Sequence, residues 1–149
     1  MTVDTQLVDT ALVVIANLFN LIMVAIFVSR PFELKRLETW LGLVSIALAL
    51  PVGIAIVLNV MAGREWWAVV LPALLFGFLL VELLLDYILK IDFRHTRLLG
   101  PYLLLFYAAQ MGMVGYAFLV CEIYGFVTLI TYFACLGATA YSYRKVGHG

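Results

Sequence analysis

One acidic residue lies deep inside an apolar stretch of this sequence. Glu82 is preceded by Phe78 and Leu79 and followed by Leu85, so it has no polar partner one turn earlier. If the stretch crosses a membrane as a helix, Glu82 lies about 6 Å from the middle of the span, with Asp86 one turn later on the same face. An ionisable group at such a depth costs about 2.5 to 3.5 kcal/mol and often marks a functional site. Glu82 and Asp86 are therefore candidates for a proton site or a small-molecule binding site.

The partners expected for these two acids differ. Asp86 precedes Lys90 by four residues, a spacing that favours an ion pair along a helix. Glu82 must instead bond to another helix, because it has no local partner. The side chains that could donate to it at a similar depth are Asn17, Asn20, Gln110 and Tyr107. Their convergence would form either a binding site or an interhelical clasp worth about 0.6 kcal/mol, and both interpretations stay open.

A basic loop after the same apolar stretch is a second candidate site. Arg94, His95 and Arg97 could bind anionic lipid headgroups or a phosphate-bearing ligand. The competing interpretation is that basic residues collect on the cytoplasmic side of membrane proteins whatever these bind. The headgroup-binding hypothesis is therefore the weaker of the two site predictions.

Histidine and cysteine are too scarce for metal or haem chemistry. The chain has His95, His148, Cys121 and Cys135, and none of them falls into a metal-ligand spacing. The sequence also lacks the glycine-rich nucleotide loops and the hydrolase motifs. We therefore predict no metal site and no cofactor, and we interpret the two cysteines as small apolar packing residues.

The composition determines the class of protein that must position these side chains. Of 149 residues, 66% are hydrophobic and 12% are charged, whereas ordinary domains are about half apolar and a quarter charged. The mean hydropathy is +1.12. These values exclude a soluble enzyme, a disordered protein, a coiled coil and a nucleic-acid-binding protein. They predict an all-α polytopic membrane protein.

Five apolar stretches are long enough to cross about 30 Å of hydrocarbon. A turn at Cys121 to Gly125 divides the last long apolar run, and Pro51 should kink the second helix. We expect the segment from Arg30 to Thr39 to lie on the membrane surface. The start of the chain lacks a basic region and a cleavage site, so the first span should be retained. The predicted spans of this single domain, 1–149, are near 8–29, 40–62, 67–89, 99–120 and 124–142.

The placement of basic residues predicts the orientation of this bundle. Five crossings leave Arg64 as the only basic residue on its side of the membrane. Because basic residues favour the cytoplasmic side, we expect the N-terminus outside and the C-terminus in the cytoplasm. The basic residues that share the other side are Arg30, Lys35, Arg36, Lys90, Arg94, Arg97, Arg144 and Lys145.

Small residues four positions apart could let these helices approach closely. They recur on every span except the first, and single pairs of this kind also arise by chance. The pairs are Ala49 with Gly53, Ala73 with Gly77, Ala108 with Gly112, and Ala134 with Ala138.

Three functions are compatible with such a bundle. A non-catalytic subunit or a lipophile-binding bundle needs the fewest assumptions. An alternative is a transporter or channel that couples protons or cations through Glu82. A second alternative is a lipid-modifying enzyme with Glu82 and Asp86 as acid and base. The expected partners are the lipid bilayer and either a membrane protein or a second copy, without nucleic acid, and the expected location is the cell membrane, by default a prokaryotic plasma membrane.

Overall fold

The computed structural model describes residues 4–147, and its regular elements are all helices. Five helical stretches are long and apolar enough to cross a membrane, which confirms the number of spans and makes the chain a multi-pass membrane protein. Two short 3₁₀ turns, Arg30–Phe32 and Phe93–His95, and a π-helical turn, Leu83–Ile88, lie between the main helices. The main helices are α1 (Thr5–Ser29), α2 (Lys35–Ala47), α3 (Ala49–Met61), α4 (Trp67–Glu82), α5 (Leu99–Val120) and α6 (Glu122–Val146).

The second span is interrupted near its middle, as Pro51 predicts. α2 ends at Ala47 and α3 begins at Ala49, with Leu48 between them. The amide of Leu48 donates to the carbonyl oxygen of Ser45 at 3.1 Å, the spacing of a 3₁₀ turn. Proline lacks an N–H and its ring clashes with the carbonyl four residues earlier. The break therefore follows directly from Pro51.

The predicted surface segment between the first two spans is wrong in its extent. The chain turns at Arg30–Phe32 and then enters α2 at Lys35, five residues before the expected start of the span. Lysine, arginine and glutamate are good helix formers, and their charged ends can lie at the headgroup level. The residues from Lys35 to Thr39 therefore belong to the helix of the second span and do not form a separate surface segment.

The helices follow the chain order around the bundle. α1 packs against α6, α6 against α5, α5 against α4 and α4 against α3, while α1 also contacts α2 and α3. Thus the first and last spans meet, and α1 is the most buried span. Three aromatic rings join α1, α4 and α5 in the core: Phe78 lies 5.9 Å from Phe19 and 5.1 Å from Phe106, centroid to centroid.

Two of the small residues do allow close packing between helices. A Cβ atom on Gly112 would lie 3.2 Å from Leu74, where α5 meets α4. One on Gly53 would lie 3.0 Å from Phe76, where α3 meets α4. A Cβ on Gly77 would have no atom within 4 Å among the residues described, so this position is not a close contact.

The turn between the last two spans is tighter than the five residues predicted. Cys121 alone joins α5 to α6, with φ −161° and ψ 135°. Gly125 belongs to α6, and the ring of Phe118 packs directly on its Cα. Cys121 and Cys135 are both free thiols, in agreement with the interpretation that they do not pair.

Candidate functional site

The polar side chains within the bundle form three separate groups at different depths. The middle group joins α1 to α6. Asn17 donates to Thr128 Oγ1 at 3.0 Å and accepts from Thr131 Oγ1 at 2.8 Å. Asn20 donates to the same Thr131 oxygen at 3.0 Å. Two amides from one helix are thus bonded to two hydroxyl groups of its neighbour.

Gln110 extends this middle group to α5. Its amide donates to Asn20 Oδ1 at 3.1 Å and lies 3.2 Å from Cys135 Sγ. Tyr107, one turn away on α5, lies beside Thr139 of α6. We call the group formed by Asn17, Asn20, Gln110, Thr128, Thr131 and Cys135 the amide clasp. It ties together α1, α5 and α6 through interhelical hydrogen bonds.

The predicted convergence of Glu82 with these amides is wrong. The donors of Asn17, Asn20 and Gln110 are occupied within the amide clasp. Glu82 instead lies nearer one end of the bundle, where it faces arginine side chains. Similar depth did not bring these residues together because they face different helix neighbours. The amides of Asn17 and Asn20 bond to threonine hydroxyl groups of α6, and not to the carboxyl group of Glu82.

The end of the bundle that carries the 89–98 loop holds the second group of polar side chains. Asp86 pairs with Arg94, whose Nη2 lies 2.9 Å from Asp86 Oδ2 and whose Nη1 lies 3.4 Å from Oδ1. The predicted pair of Asp86 with Lys90 is therefore wrong. The π-helical turn alters the usual four-residue spacing, and Lys90 leaves the helix with a positive φ of 50°. The loop then folds Arg94 back onto Asp86.

Arg94 lies in the loop outside the spans, and its charge is stabilised there. Burial by itself would lower the pKa of the guanidinium, but the charge and hydrogen bonds of Asp86 raise that pKa above its ordinary value. Arg94 therefore stays protonated at any physiological pH.

Arg30 comes from the other side of the same cleft, at the end of the first span. Its side chain is 12% exposed, and its Nε lies 3.7 Å from Glu38 Oε2. The guanidinium carbon is 4.9 Å from the centroid of the Phe27 ring. The buried Nη1 atom of Arg30 has no hydrogen-bond partner within residues 4–147. We call Arg30, Glu38, Glu82, Asp86 and Arg94 the basic-end site.

Glu82 is the most buried acid of the basic-end site. Its exposed fraction is 7%, and its Oε2 atom has no hydrogen-bond partner in the described part of the chain. Glu82, Arg30 and Arg94 line two cavities, a small one of about 40 Å³ and an open groove of about 400 Å³. Gly42 of α2 and Tyr87 of the π-helical turn also line this groove. A buried acid and a half-buried base, each with an unpartnered buried atom, thus border the same space.

A separate apolar groove is lined by residues that neighbour those of the polar groove in the chain. It has a volume of about 660 Å³ and follows the break between α2 and α3, lined by side chains such as Ile46 and Leu83. Ile46 lies one helical turn beyond Gly42, and Leu83 is the next residue after Glu82. The second and third spans therefore contribute residues both to the charged site and to the apolar groove.

The basic loop lines a fourth cavity, between α5 and α6. This groove has a volume of about 540 Å³ and brings Arg94 and His95 together with Tyr107. Arg144 of α6 also lines the groove and was missed by sequence reasoning, although it belongs to the same basic side. Arg97 is exposed and does not line the groove. Of the three residues predicted to bind a headgroup, Arg94 and His95 thus line the groove and Arg97 does not. His148 lies outside the described residues.

The opposite end of the bundle contains a polar cluster that sequence reasoning did not find. Arg64 donates to both carboxylate oxygens of Asp9 at 3.1 and 3.2 Å, and the Tyr116 hydroxyl donates to Asp9 Oδ1 at 2.5 Å. The guanidinium carbon of Arg64 is 5.4 Å from the Trp67 ring centroid. The sequence did contain a clue to this cluster. Arg64 is the only basic residue on its side of the membrane, so an acidic partner for it could have been sought. We call these four residues the opposite-end cluster.

Asn59 lies near this cluster, beside Tyr116. Its side chain is fully buried and donates to the backbone oxygen of Ala68 at 2.7 Å. This bond joins the end of α3 to the first turn of α4. Asn59 therefore has a structural role in the short connection between these helices.

Within residues 4–147, no group of three or more His, Cys, Asp or Glu side chains is arranged to hold a metal ion. Comparison of the chain with protein-family models, curated proteins and solved structures gave no match.

Proposed function

We propose that this chain is a non-catalytic membrane protein that binds an amphiphilic lipid-like molecule at the basic-end site. The observation that carries the proposal is the pair of unpartnered buried atoms, Glu82 Oε2 and Arg30 Nη1, that border the same cavities. Leaving one buried polar group without a partner costs about 1 to 3 kcal/mol, and more when it is charged. A ligand that supplies partners for both atoms recovers that free energy.

The neighbouring grooves favour an amphiphile over a small polar solute. The charged groove of about 400 Å³ is within the range of about 300 to 1,000 Å³ typical of small-molecule sites. The apolar groove beside it, at the break caused by Pro51, can receive a hydrocarbon chain. The headgroup would lie near Glu82 and the chain along α2 and α3.

We further propose the N-terminus outside, the C-terminus in the cytoplasm and a plasma-membrane location. The positive-inside rule supports this orientation, because Arg64 is the only basic residue on its side. The basic-end site then faces the cytoplasmic leaflet.

A proton- or cation-coupled transporter is the second candidate function. The observation that favours it is that Glu82 lines both a small cavity and a larger open groove. A lipid-modifying enzyme has less support, because Asp86 is held by Arg94 and is not free to act as a base. The sequence also allowed a subunit that binds another membrane protein or a second copy of itself. The experiment below distinguishes this possibility as well.

Native mass spectrometry of the gently solubilised protein tests the proposal. We expect a stoichiometric amphiphile on the wild-type protein and its loss in the Glu82→Leu and Arg30→Gln variants. Matched controls are Glu122→Gln and Arg97→Gln, which alter exposed residues outside the site and should keep the ligand.

Other results would each favour a different function. A wild-type protein without any bound amphiphile contradicts the proposal. A stoichiometric protein partner in its place supports the subunit interpretation. Proton-driven uptake into vesicles that Glu82→Gln abolishes would instead support the transporter.

A further inference from the structure

We infer that the amphiphile is a zwitterionic phospholipid with a primary ammonium group, which donates to Glu82 while its phosphate accepts from Arg30. This inference rests on the proposed function and specifies its ligand. It depends on the charge of the basic-end site, on the two unpartnered atoms, and on the grooves beside them.

The charges of the basic-end site do not favour a purely anionic headgroup. The site contains two guanidinium groups, of Arg30 and Arg94, and three carboxyl groups, of Glu38, Glu82 and Asp86. With all five ionised, its formal charge is −1. An anionic headgroup would add a second negative charge in a partly buried space, where repulsion is weakly screened. A zwitterion adds no net charge.

The hydrogen-bonding state of each arginine identifies the phosphate position. Both nitrogens of Arg94 that face Asp86 are engaged by that carboxylate. Arg30 is held by Glu38 only through Nε at 3.7 Å, so its buried Nη1 is free to donate. Arginine binds phosphate oxygens strongly, because such hydrogen bonds are charge-assisted. Arg30 is therefore the residue that binds the phosphate.

The unpartnered oxygen of Glu82 identifies the other end of the headgroup. Glu82 Oε2 needs a hydrogen-bond donor, and no described residue supplies one. A primary ammonium has three N–H donors and a positive charge, whereas a quaternary ammonium has no donor. The site should therefore prefer ethanolamine headgroups over choline headgroups. A glycerol headgroup offers hydroxyl donors but leaves the phosphate charge uncompensated.

The charged groove and the apolar groove are lined by residues that neighbour one another in the chain, which gives a lipid a place for its headgroup and a place for its acyl chain. The headgroup lies in the groove lined by Gly42 and Tyr87, and the chain follows Ile46 and Leu83 into the apolar groove. Because Gly42 has no side chain, the Tyr87 hydroxyl packs closely on α2 at the charged groove, in the space where a Cβ would lie. Thus the charged groove borders the two unpartnered atoms, and residues that follow its lining residues in the chain line the apolar groove.

A competition between phospholipids of identical acyl chains tests this inference. The delipidated protein is mixed with equal amounts of phosphatidylethanolamine, phosphatidylcholine and phosphatidylglycerol, and the bound lipids are counted by native mass spectrometry. We expect about a tenfold preference for phosphatidylethanolamine over phosphatidylcholine, the ratio that one charge-assisted hydrogen bond supports. Glu82→Gln should bring this ratio close to one. Arg30→Gln should reduce all three bound phospholipids, and Arg97→Gln should change none.

A second measurement uses the wild-type protein alone, in case a variant fails to fold. Successive N-methylation of the ethanolamine headgroup removes donors one at a time, and binding should fall stepwise to the level of phosphatidylcholine. Equal binding along this series, or preference for phosphatidylglycerol, would overturn the headgroup assignment and leave amphiphile binding intact. If the wild-type protein binds another amphiphile but no phospholipid, the headgroup assignment is overturned. If it binds no amphiphile of any kind, the proposed function is overturned as well.

Discussion

The role of each polar side chain in this bundle depends on the partner that the fold places beside it. Glu82 and Asp86 lie one turn apart, yet Asp86 is neutralised by Arg94 while Glu82 keeps an unpartnered oxygen beside a cavity. The three amides predicted as partners of Glu82 bond to threonine hydroxyls and to one another. The sequence could identify which residues are costly to bury, because that depends on composition and depth. It could not assign the pairs, because these depend on which helix faces lie together.

The first prediction concerns the opposite-end cluster. Asp9→Asn should destabilise the protein by about 1.5 to 3 kcal/mol, because it removes the charge that accepts the bidentate bonds of Arg64. Thermal unfolding in detergent measures the effect. Asp4→Asn is the matched control: Asp4 caps α1 by accepting from two backbone amides, and asparagine caps nearly as well. Equal stability of the two variants would mean that the pair is worth little.

The second prediction concerns the amide clasp. Asn20→Leu should cost about 0.6 to 1.7 kcal/mol, because Thr131 and Gln110 both lose a bond to the replaced amide. Unfolding in mixed micelles measures this difference. Gln6→Leu changes an exposed amide of the same helix and serves as control. A loss for Asn20→Leu no larger than that for Gln6→Leu would contradict the assigned role.

At the scale of the elements, irregular backbone creates the features that matter for binding. Pro51 interrupts the second span at Leu48 and leaves an apolar groove beside it. The π-helical turn Leu83–Ile88 follows Glu82 directly and separates Asp86 from Lys90. The proline predicts its break from sequence alone, because a missing N–H acts locally. The π-helical turn has no comparable local signal, so the ion pair predicted from ordinary helical spacing was wrong.

The third prediction concerns the tight turn between α5 and α6. Gly125→Ala should destabilise the protein by about 1 to 3 kcal/mol, because the added methyl group would overlap the Phe118 ring. Gly137→Ala is the control in the same helix, since a Cβ there would meet no described atom within 4 Å. It should be neutral or stabilising by up to about 1 kcal/mol. Equal unfolding temperatures for the two variants would contradict this view of the turn.

The whole molecule is a ring of five spans in which the first and last helices meet. α1 has more helix neighbours than a simple ring requires, since it contacts α6, α5, α2 and α3. It therefore contributes most to the packing. Lipids occupy the exterior, so the polar groups that fix the bundle lie between helices: the opposite-end cluster, the amide clasp and the basic-end site. Only the basic-end site combines unpartnered charged atoms with open space among the described residues.

The fourth prediction concerns the orientation of the whole molecule. In a variant whose two native cysteines are replaced by alanine, Ala62→Cys should react with a membrane-impermeant maleimide in intact cells. Asp92→Cys should react only after permeabilisation, because its loop is rich in basic residues and such loops favour the cytoplasmic side. Both positions are exposed. The cysteine-free variant is the control, and the reverse labelling pattern would invert the assigned topology.

The sequence by itself determined the class of this protein, the number of its spans and the break in the second. Hydrophobic length and a missing proline N–H are local properties, and each can be recognised without knowing which helices touch. Only the tertiary structure decided that Arg94 neutralises Asp86, that Asp9 pairs with Arg64, and that Glu82 faces Arg30 across shared cavities. Asp9 and Arg64 are 55 positions apart in the chain. Such contacts depend on the rotation and order of helices in the bundle, which small residues and distant hydrogen bonds fix together.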